Sequence, residues 1–397
     1  MWTRLRGRAL AVGAVYFPLL LLGCRDDPMS ADGTSPCRPT ASPVFLSAND
    51  DDDGDGYPRD ENYPAVNDED DDIADHAWIE DAHGAHHLFF QNEGWAGSDI
   101  VHYVTTDLQA LTYVGVALQK NPGGWDSQAL WAPHIVQNGH TYFMFYTGTS
   151  GTGGTSKQRI GLATSSDLIT WRRTPVNRCP ETTGDGCIYE CAEAWTTWGG
   201  QPGTYNQQCR DPFVLWDEAE RRWVLFATAK STNRYGVVTV AYSGDLVHWT
   251  GAGYVDATRR LAGGSGSQPF GGQAENPYVL ARDGSYTLLF CDWADPEDDC
   301  TVQNPRTIVQ YATSSTLHAD AEGSHNWSYR GFTLDPGVNA IEALHLGVDT
   351  WILSQSIADR TSCDYAEHRR ELRLKRLVWG PGGTFATTPW SPCSTPP

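Results

Sequence analysis

The sequence predicts an all-β chain built as a five-bladed β-propeller of four-stranded antiparallel blades. Three observations lead there: a strand, turn, strand unit recurs five times, a Ser/Thr-x-Asp-Leu segment or a variant of it closes four of the units, and no long amphipathic helical period is visible in the 397 residues. With 40% hydrophobic residues, 16 Trp, 40 Gly and 23 Pro, the chain has apolar mass for a large core and turn residues for many short strands.

The units open at Asp75 (DHAWIEDAHGAHHLFFQN), Trp131 (WAPHIVQNGHTYFMFYTG), Arg210 (RDPFVLWDEAERRWVLFATA), Glu275 (ENPYVLARDGSYTLLFCDW) and Ala340 (AIEALHLGVDTWILSQS). Each is a short apolar strand, a turn rich in Gly, Asp or Asn, and a second apolar strand, the pattern of a β-hairpin. The closings are Thr105-Thr106-Asp107-Leu108, Ser165-Ser166-Asp167-Leu168, Ser243-Gly244-Asp245-Leu246 and Ser314-Ser315-Thr316-Leu317, each after an alternating strand such as GVVTVAYS. Every unit therefore supplies about four strands, and radial repetition lets each blade bury both faces against its neighbours. A two-sheet sandwich is the rival, but it predicts no fivefold recurrence.

Three stretches are expected along the chain: residues 1–24, 25–72 and the propeller at 73–393. The first has Arg4, Arg6 and Arg8, then an apolar run from Ala9 to Leu22, the layout of an export signal rather than of a spanning helix. Its end, Leu-Leu-Gly-Cys, is similar to a bacterial lipobox, which makes Cys24 the candidate lipidated residue of a membrane-anchored exported protein; plain signal cleavage is the alternative. Residues 25–72 read as a flexible acidic linker. Within it Asp51, Asp53, Asp55 and Gly56 fit the first half of a calcium loop, although Asn62 stands where a bidentate Glu is expected. A solvated acidic linker with no ion is equally compatible.

The formal net charge of -21 argues against nucleic acid or an anionic membrane surface as partner. Much of it is local, since thirteen acids against Arg59 lie between Asp50 and Asp75. Export agrees with the cysteines. Cys179, Cys187, Cys191 and Cys209 fall within one insertion and Cys291 with Cys300 bracket another, so local disulfides are expected, with the pairing left open. The four-Cys cluster lacks the paired arms of a structural zinc site.

In a propeller the first strand of every blade lines the central channel, so the openings converge on one pocket. Asp75, Asp211 and Glu275 lie at three of them. For Asp211 alone, a turn role before Pro212 is the plain alternative; acids at three openings are not explained that way.

An Ala-Asp opening followed by Trp-Ala-Pro, Arg-Asp-Pro and Glu-x-Pro at successive blades resembles the five-bladed glycoside hydrolases of family 43, with the family 32 invertases as more distant relatives. The resemblance covers about residues 73 to 380. It implies Asp75 as the general base that activates water, Glu275 as the general acid, and Asp211 as the residue that orients Glu275 and raises its pKa by like-charge crowding. It also implies a carbohydrate substrate, hydrolysis with inversion, and no cofactor for the chemistry; a monomer is expected. His76 stands where the family carries proline and His134 where it often carries Asp. The Trp-Met-Asn-Asp-Pro-Asn-Gly opening of family 32 is absent.

Around the acids, Arg210 is placed to hold a carboxylate or grip a hydroxyl, and Asn276 is a candidate sugar contact. Glu342 and His345, at the fifth opening, are candidates for sugar or a channel ion, with a satisfied core histidine as the alternative. Trp78, Trp95 and Trp131 are candidate platforms for sugar rings, against a role in blade packing. Trp195 and Trp198 ride on the cysteine-rich insertion that ends at Arg210 and are placed to shape the rim. Two rivals to inversion stand: a retaining fructan-type hydrolase or transferase with Asp75 as nucleophile, and a carbohydrate-binding propeller without catalysis.

Overall fold

The computed structural model describes residues 44–46, 73, 75–92, 98–108, 110–151, 157–198, 207–232, 236–255, 274–293, 307–320, 326–333, 338–346, 350–358, 370–380 and 385–389. They all belong to the compact unit Thr40–Pro392. Cys24, Trp95 and the candidate calcium residues Asp51, Asp53 and Asp55 lie outside the described residues.

Among the described residues there is no helix, and five antiparallel sheets form the five blades. Blade one is β2 (His76–Glu80), β3 (His86–Gln91), β4 (Ile100–Thr105) and β5 (Thr112–Leu118). Blade two runs from β6 (Ala129–Asn138) through β7 (Thr141–Thr149) and β8 (Arg159–Ser165), with β9 (Arg172–Arg173) and β10 (Cys187–Tyr189) both on β8. Blade three is β11 (Cys209–Asp217), β12 (Arg222–Lys230), β13 (Gly236–Ser243) and β14 (Trp249–Val255). Blade four is β15 (Glu275–Arg282), β16 (Ser285–Trp293), β17 (Thr307–Ser314) and β18 (Ser328–Thr333). Blade five is β19 (Val338–Leu346), β20 (Thr350–Ala358) and β21 (Arg370–Trp379), with β22 (Phe385–Pro389) and β1 (Val44–Leu46) sharing the outer edge of β21.

Two details depart from the sequence reading. Val44–Leu46, assigned to the linker, is a strand that pairs with Leu372–Leu374 and so ties a segment ahead of the first blade to the last. The cysteine-rich insertion adds β10 to blade two rather than to blade three, which it precedes in the chain.

The ring closes through the innermost strands: β2 packs on β6, β6 on β11, β11 on β15, β15 on β19, and β19 on β2. One apolar cluster fills each gap between neighbouring blades, for example Phe89, Leu130 and Met144 between the first two and Phe226, Phe290 and Trp327 between the third and fourth. The closing segments are turns of one design. Ser165 Oγ and Ser243 Oγ donate to Asp167 and Asp245, and Leu108, Leu168 and Leu246 enter the left-handed region while burying their side chains. Backbone donors hold the Asp167 and Asp245 carboxyls down at about 2.

On β6, β11 and β15 the ladder breaks at one place, between Trp131 and His134, Arg210 and Phe213, and Glu275 and Tyr278. The skipped pairs are Ala132-Pro133, Asp211-Pro212 and Asn276-Pro277. Proline offers no ladder N–H, so the pair bulges. The residue before it sits at φ 45°, 56° and 50° respectively. An L side chain pays about 1–2 kcal/mol to enter that region, and a following proline crowds it further.

A neighbouring blade captures each strained N–H. Ala132 N–H donates to Gln91 Oε1 (3.1 Å), Asp211 N–H to Thr147 Oγ1 (2.9 Å) and Asn276 N–H to Asp211 Oδ2 (3.1 Å). Thr147→Val keeps the shape of β7 and removes the acceptor for a buried donor. It should lower stability by about 1–3 kcal/mol, seen as a reduced urea midpoint with unchanged slope.

Candidate active site

The bulges set which side chains are equivalent. Aligned on their prolines, Asp211 matches Ala132 and Asn276, while Glu275 matches Arg210 and Trp131. The register of β2 with β3 puts His76 opposite Phe90, which brings Asp75 level with Gln91, the first-blade counterpart of this row. Asp75, Trp131, Arg210 and Glu275 thus form one tier, and Asp211 stands a residue further along.

Arg210 is the electrostatic centre of the group. It is buried; its Nη2 donates to Glu275 Oε1, its Nε lies 3.4 Å from Asp211 Oδ2, and its Nη1 donates to Gln158 Oε1 (3.2 Å). Burial alone would lower its pKa, but Glu275, Asp211 and also Asp75 act on it to raise it. Two of the three sequence-predicted acids therefore lie against one guanidinium. Asp211 and Glu275 touch it, and Asp75 is near enough to be felt.

Asp211 is buried, and that burial raises its pKa to about 6. Arg210 and two hydrogen-bond donors pull the other way, and the charge of Glu275 adds to the rise. Thr228 Oγ1 lies 2.9 Å from both Asp211 Oδ2 and the Ala274 carbonyl. A hydroxyl has one proton and two lone pairs. Once Asp211 is protonated it can donate to Thr228, which then donates to Ala274, so the neutral acid keeps a hydrogen-bond partner there.

Further along the channel strands, His134 Nε2 faces the Val214 carbonyl at 2.9 Å, and its Nδ1 lies 3.4 Å from Glu342 Oε1. A carbonyl can only accept, so Nε2 carries a proton and Nδ1 faces the Glu342 carboxyl. Burial raises the Glu342 carboxyl, and His134 opposes that. These two predicted ligand residues are brought together, but they occupy each other in a buried pair against Phe213. His345 is not with them. It is exposed near the hairpin end of β19, on the ring of Trp351 at 4.5 Å, because a nine-residue strand carries it well past the opening.

Trp78 is buried, with Nε1–H donating to Ser354 Oγ (3.0 Å), so it packs between the first and fifth blades rather than offering a face to sugar. Trp131 is half-buried in the tier of Arg210 and Glu275, and its Nε1 has no hydrogen-bond partner among the described residues. Asn276 is buried at its bulge.

The insertion is stapled by Cys179–Cys187 and Cys191–Cys209. Trp198 is buried there, with Lys157 Nζ 4.6 Å from its ring, and Trp195 packs on Tyr254; both hold the loop rather than lie open at the rim. Trp198 Nε1–H donates to the Gln158 carbonyl (2.9 Å), and Gln158 Oε1 accepts from Cys209 N–H as well as from Arg210. Gln158, Thr147 and Thr228 escaped the sequence reading. A signal existed for the threonines, since both occupy the same place in the second strand of their blades, in YTGT and ATAK.

The fold is that of a five-bladed propeller, and several known proteins it is similar to are glycoside hydrolases. The family model described as "Glycosyl hydrolases family 32 N-terminal domain" matches residues 76–269. No curated protein sequence matches the chain. Among solved structures, the Bombyx mori GH32 beta-fructofuranosidase BmSUC1 is 15% identical, with a TM-score of 0.57 over 80% of this chain and 64% of its own. A sucrose-6-phosphate hydrolase from Lactobacillus gasseri is 15% identical, with a TM-score of 0.58 over 82% of this chain and 64% of its own. An exo-1,5-alpha-L-arabinanase from a bovine ruminal metagenomic library is 16% identical, with a TM-score of 0.53 over 82% and 99%. The chain thus spans 64% of the family 32 enzymes it resembles. At these identities the likeness is one of fold, and it extends to family 32 as much as to family 43.

The raised pKa of Asp211 has a signed consequence for stability. The folded chain keeps this proton where the unfolded chain has lost it, so the contribution is full below 3.8 and lost as pH rises through about 6. Asp211→Asn removes that dependence. In urea unfolding, the stability difference between parent and variant should change by on the order of 1–3 kcal/mol between pH 4 and 6 and be flat above 7.

Proposed function

We propose that the chain is an exported glycoside hydrolase acting on plant-type or related oligo- and polysaccharides, with Asp75 and Glu275 as the reacting carboxylates. The observation that supports this most is the gathering of Asp75, Asp211 and Glu275 around Arg210. Three acids against one guanidinium repel one another, and such a cluster retains a proton near neutral pH. The proton belongs to the group rather than to one member.

In the single-displacement reading, Asp75 takes a proton from water as the water oxygen attacks the anomeric carbon. The bond to the leaving oxygen breaks, and Glu275 gives that oxygen its proton. Asp211 positions Arg210 and Glu275 without touching the sugar, and Trp131 and Asn276 contact the substrate. The family 32 match favours a second reading, in which Asp75 attacks the anomeric carbon itself and water later releases the sugar with retention. The two disulfides fit an oxidising compartment. Anchoring through Cys24, a monomeric state and calcium at Asp51, Asp53 and Asp55 complete the proposal.

Glu275→Gln should lower turnover by about 10²- to 10⁴-fold on substrates with poor leaving groups, and much less on aryl glycosides that leave unaided. Binding without turnover of any glycan by the parent chain would replace the enzyme reading with that of a lectin. Proton NMR of the first-formed product separates the two mechanisms: the opposite anomer supports single displacement, and the same anomer supports a covalent intermediate on Asp75.

A further inference from the structure

Away from the acid cluster, a cleft of about 610 Å³ opens between blades four and five. It is walled by the β15–β16 turn, the end of β17, β18 and the end of β21. Glu275 begins β15 and Arg282 ends it, so the cleft lies a strand length from the acids, about 23 Å at the usual rise.

Its lining combines an aromatic ring, planar cations and hydroxyls. Trp379 is held edge-on by Trp351 (6.4 Å, 86°) and Phe385 (6.1 Å, 67°), which fixes its plane. Arg282 lies over its ring, with Cζ 5.2 Å from the centroid, and that arginine is itself exposed and able to swing aside. Arg330, exposed, is steadied by Nε donating to Thr313 Oγ1 (2.7 Å). Ser314 and Ser328 add hydroxyls to the wall. The buried Trp379 Nε1 has no hydrogen-bond partner among the described residues.

We infer that this cleft is a second glycan-binding site, one that holds a stretch of the polymer while the acid cluster works on another. The inference rests on the proposed carbohydrate activity. A sugar ring presents an apolar C–H face and an equatorial rim of hydroxyls. The face stacks on a fixed indole, and the rim is met by guanidinium forks and serine hydroxyls. The volume suits a few sugar units rather than a macromolecular partner. Arg282 is ion-paired with Asp283 (3.2 Å), which leaves Arg330 as the cation of the wall to meet a uronic acid branch.

The test uses the full chain carrying Glu275→Gln in native gels containing debranched arabinan, levan or glucuronoxylan, alone and combined with Trp379→Ala or Arg330→Ala. The expected result is retardation in at least one gel, weakened at least about fivefold by each added change. In the active background the same two changes should leave aryl glycoside turnover at the parent level. Retardation confined to glucuronoxylan identifies the uronic acid branch as the ligand. No retardation in any gel, or equal retardation in both variants, overturns the second site, as does a loss seen only with Trp379→Ala together with a lowered melting temperature. Absence of turnover by the parent on every glycoside defeats the activity itself, and it is read in a separate assay.

Discussion

Three residues forced into left-handed backbone ahead of prolines set the aim of the side chains gathered at Arg210. A regular strand alternates its side chains across the sheet. Without the bulges at Ala132, Asp211 and Asn276, the tier of Trp131, Arg210 and Glu275 would fall out of step with the channel residues His134, Phe213 and Tyr278. The extra residue lets one strand serve two purposes. Its body pairs as an ordinary blade strand, and its first residues turn toward the mouth. Each blade's strain is relieved by a side chain on the blade before it, so the geometry is a property of neighbouring pairs of blades.

Asp211 shows how that arrangement becomes chemistry. In blade two a threonine accepts the next blade's strained N–H; in blade three Asp211 takes over that duty, with Thr228 at its side. A structural acceptor has thereby become an ionisable one, within reach of Arg210 and sensitive to the charge on Glu275. The backbone device and the electrostatic device share one carboxylate.

Repetition made the fold legible. Five hairpins in phase with their closing turns leave few architectures open, because the pattern records how each blade buries both faces. The closeness of Asp211 and Glu275 was legible for the same reason, and aligning Pro212 with Pro277 gives their one-residue offset directly from the sequence. What sequence could not carry was partnership. Glu342 and His134 are far apart in the chain and become a pair only once the ring has closed. Trp78 and Trp131 have similar surroundings in sequence, and their difference in exposure arises from the blade that happens to lie beside each. Gln158 matters because a loop folds back on it, which no local pattern announces.

Cys209 is the residue immediately before Arg210, and the bridge from it to Cys191 carries the loop whose Trp198 grips Gln158. Both cysteines of that bridge belong to the apolar cluster between blades two and three, so the bridge is part of the propeller's own packing. Reducing it would therefore loosen two things together, the seam between these blades and the hold of Gln158 on Arg210.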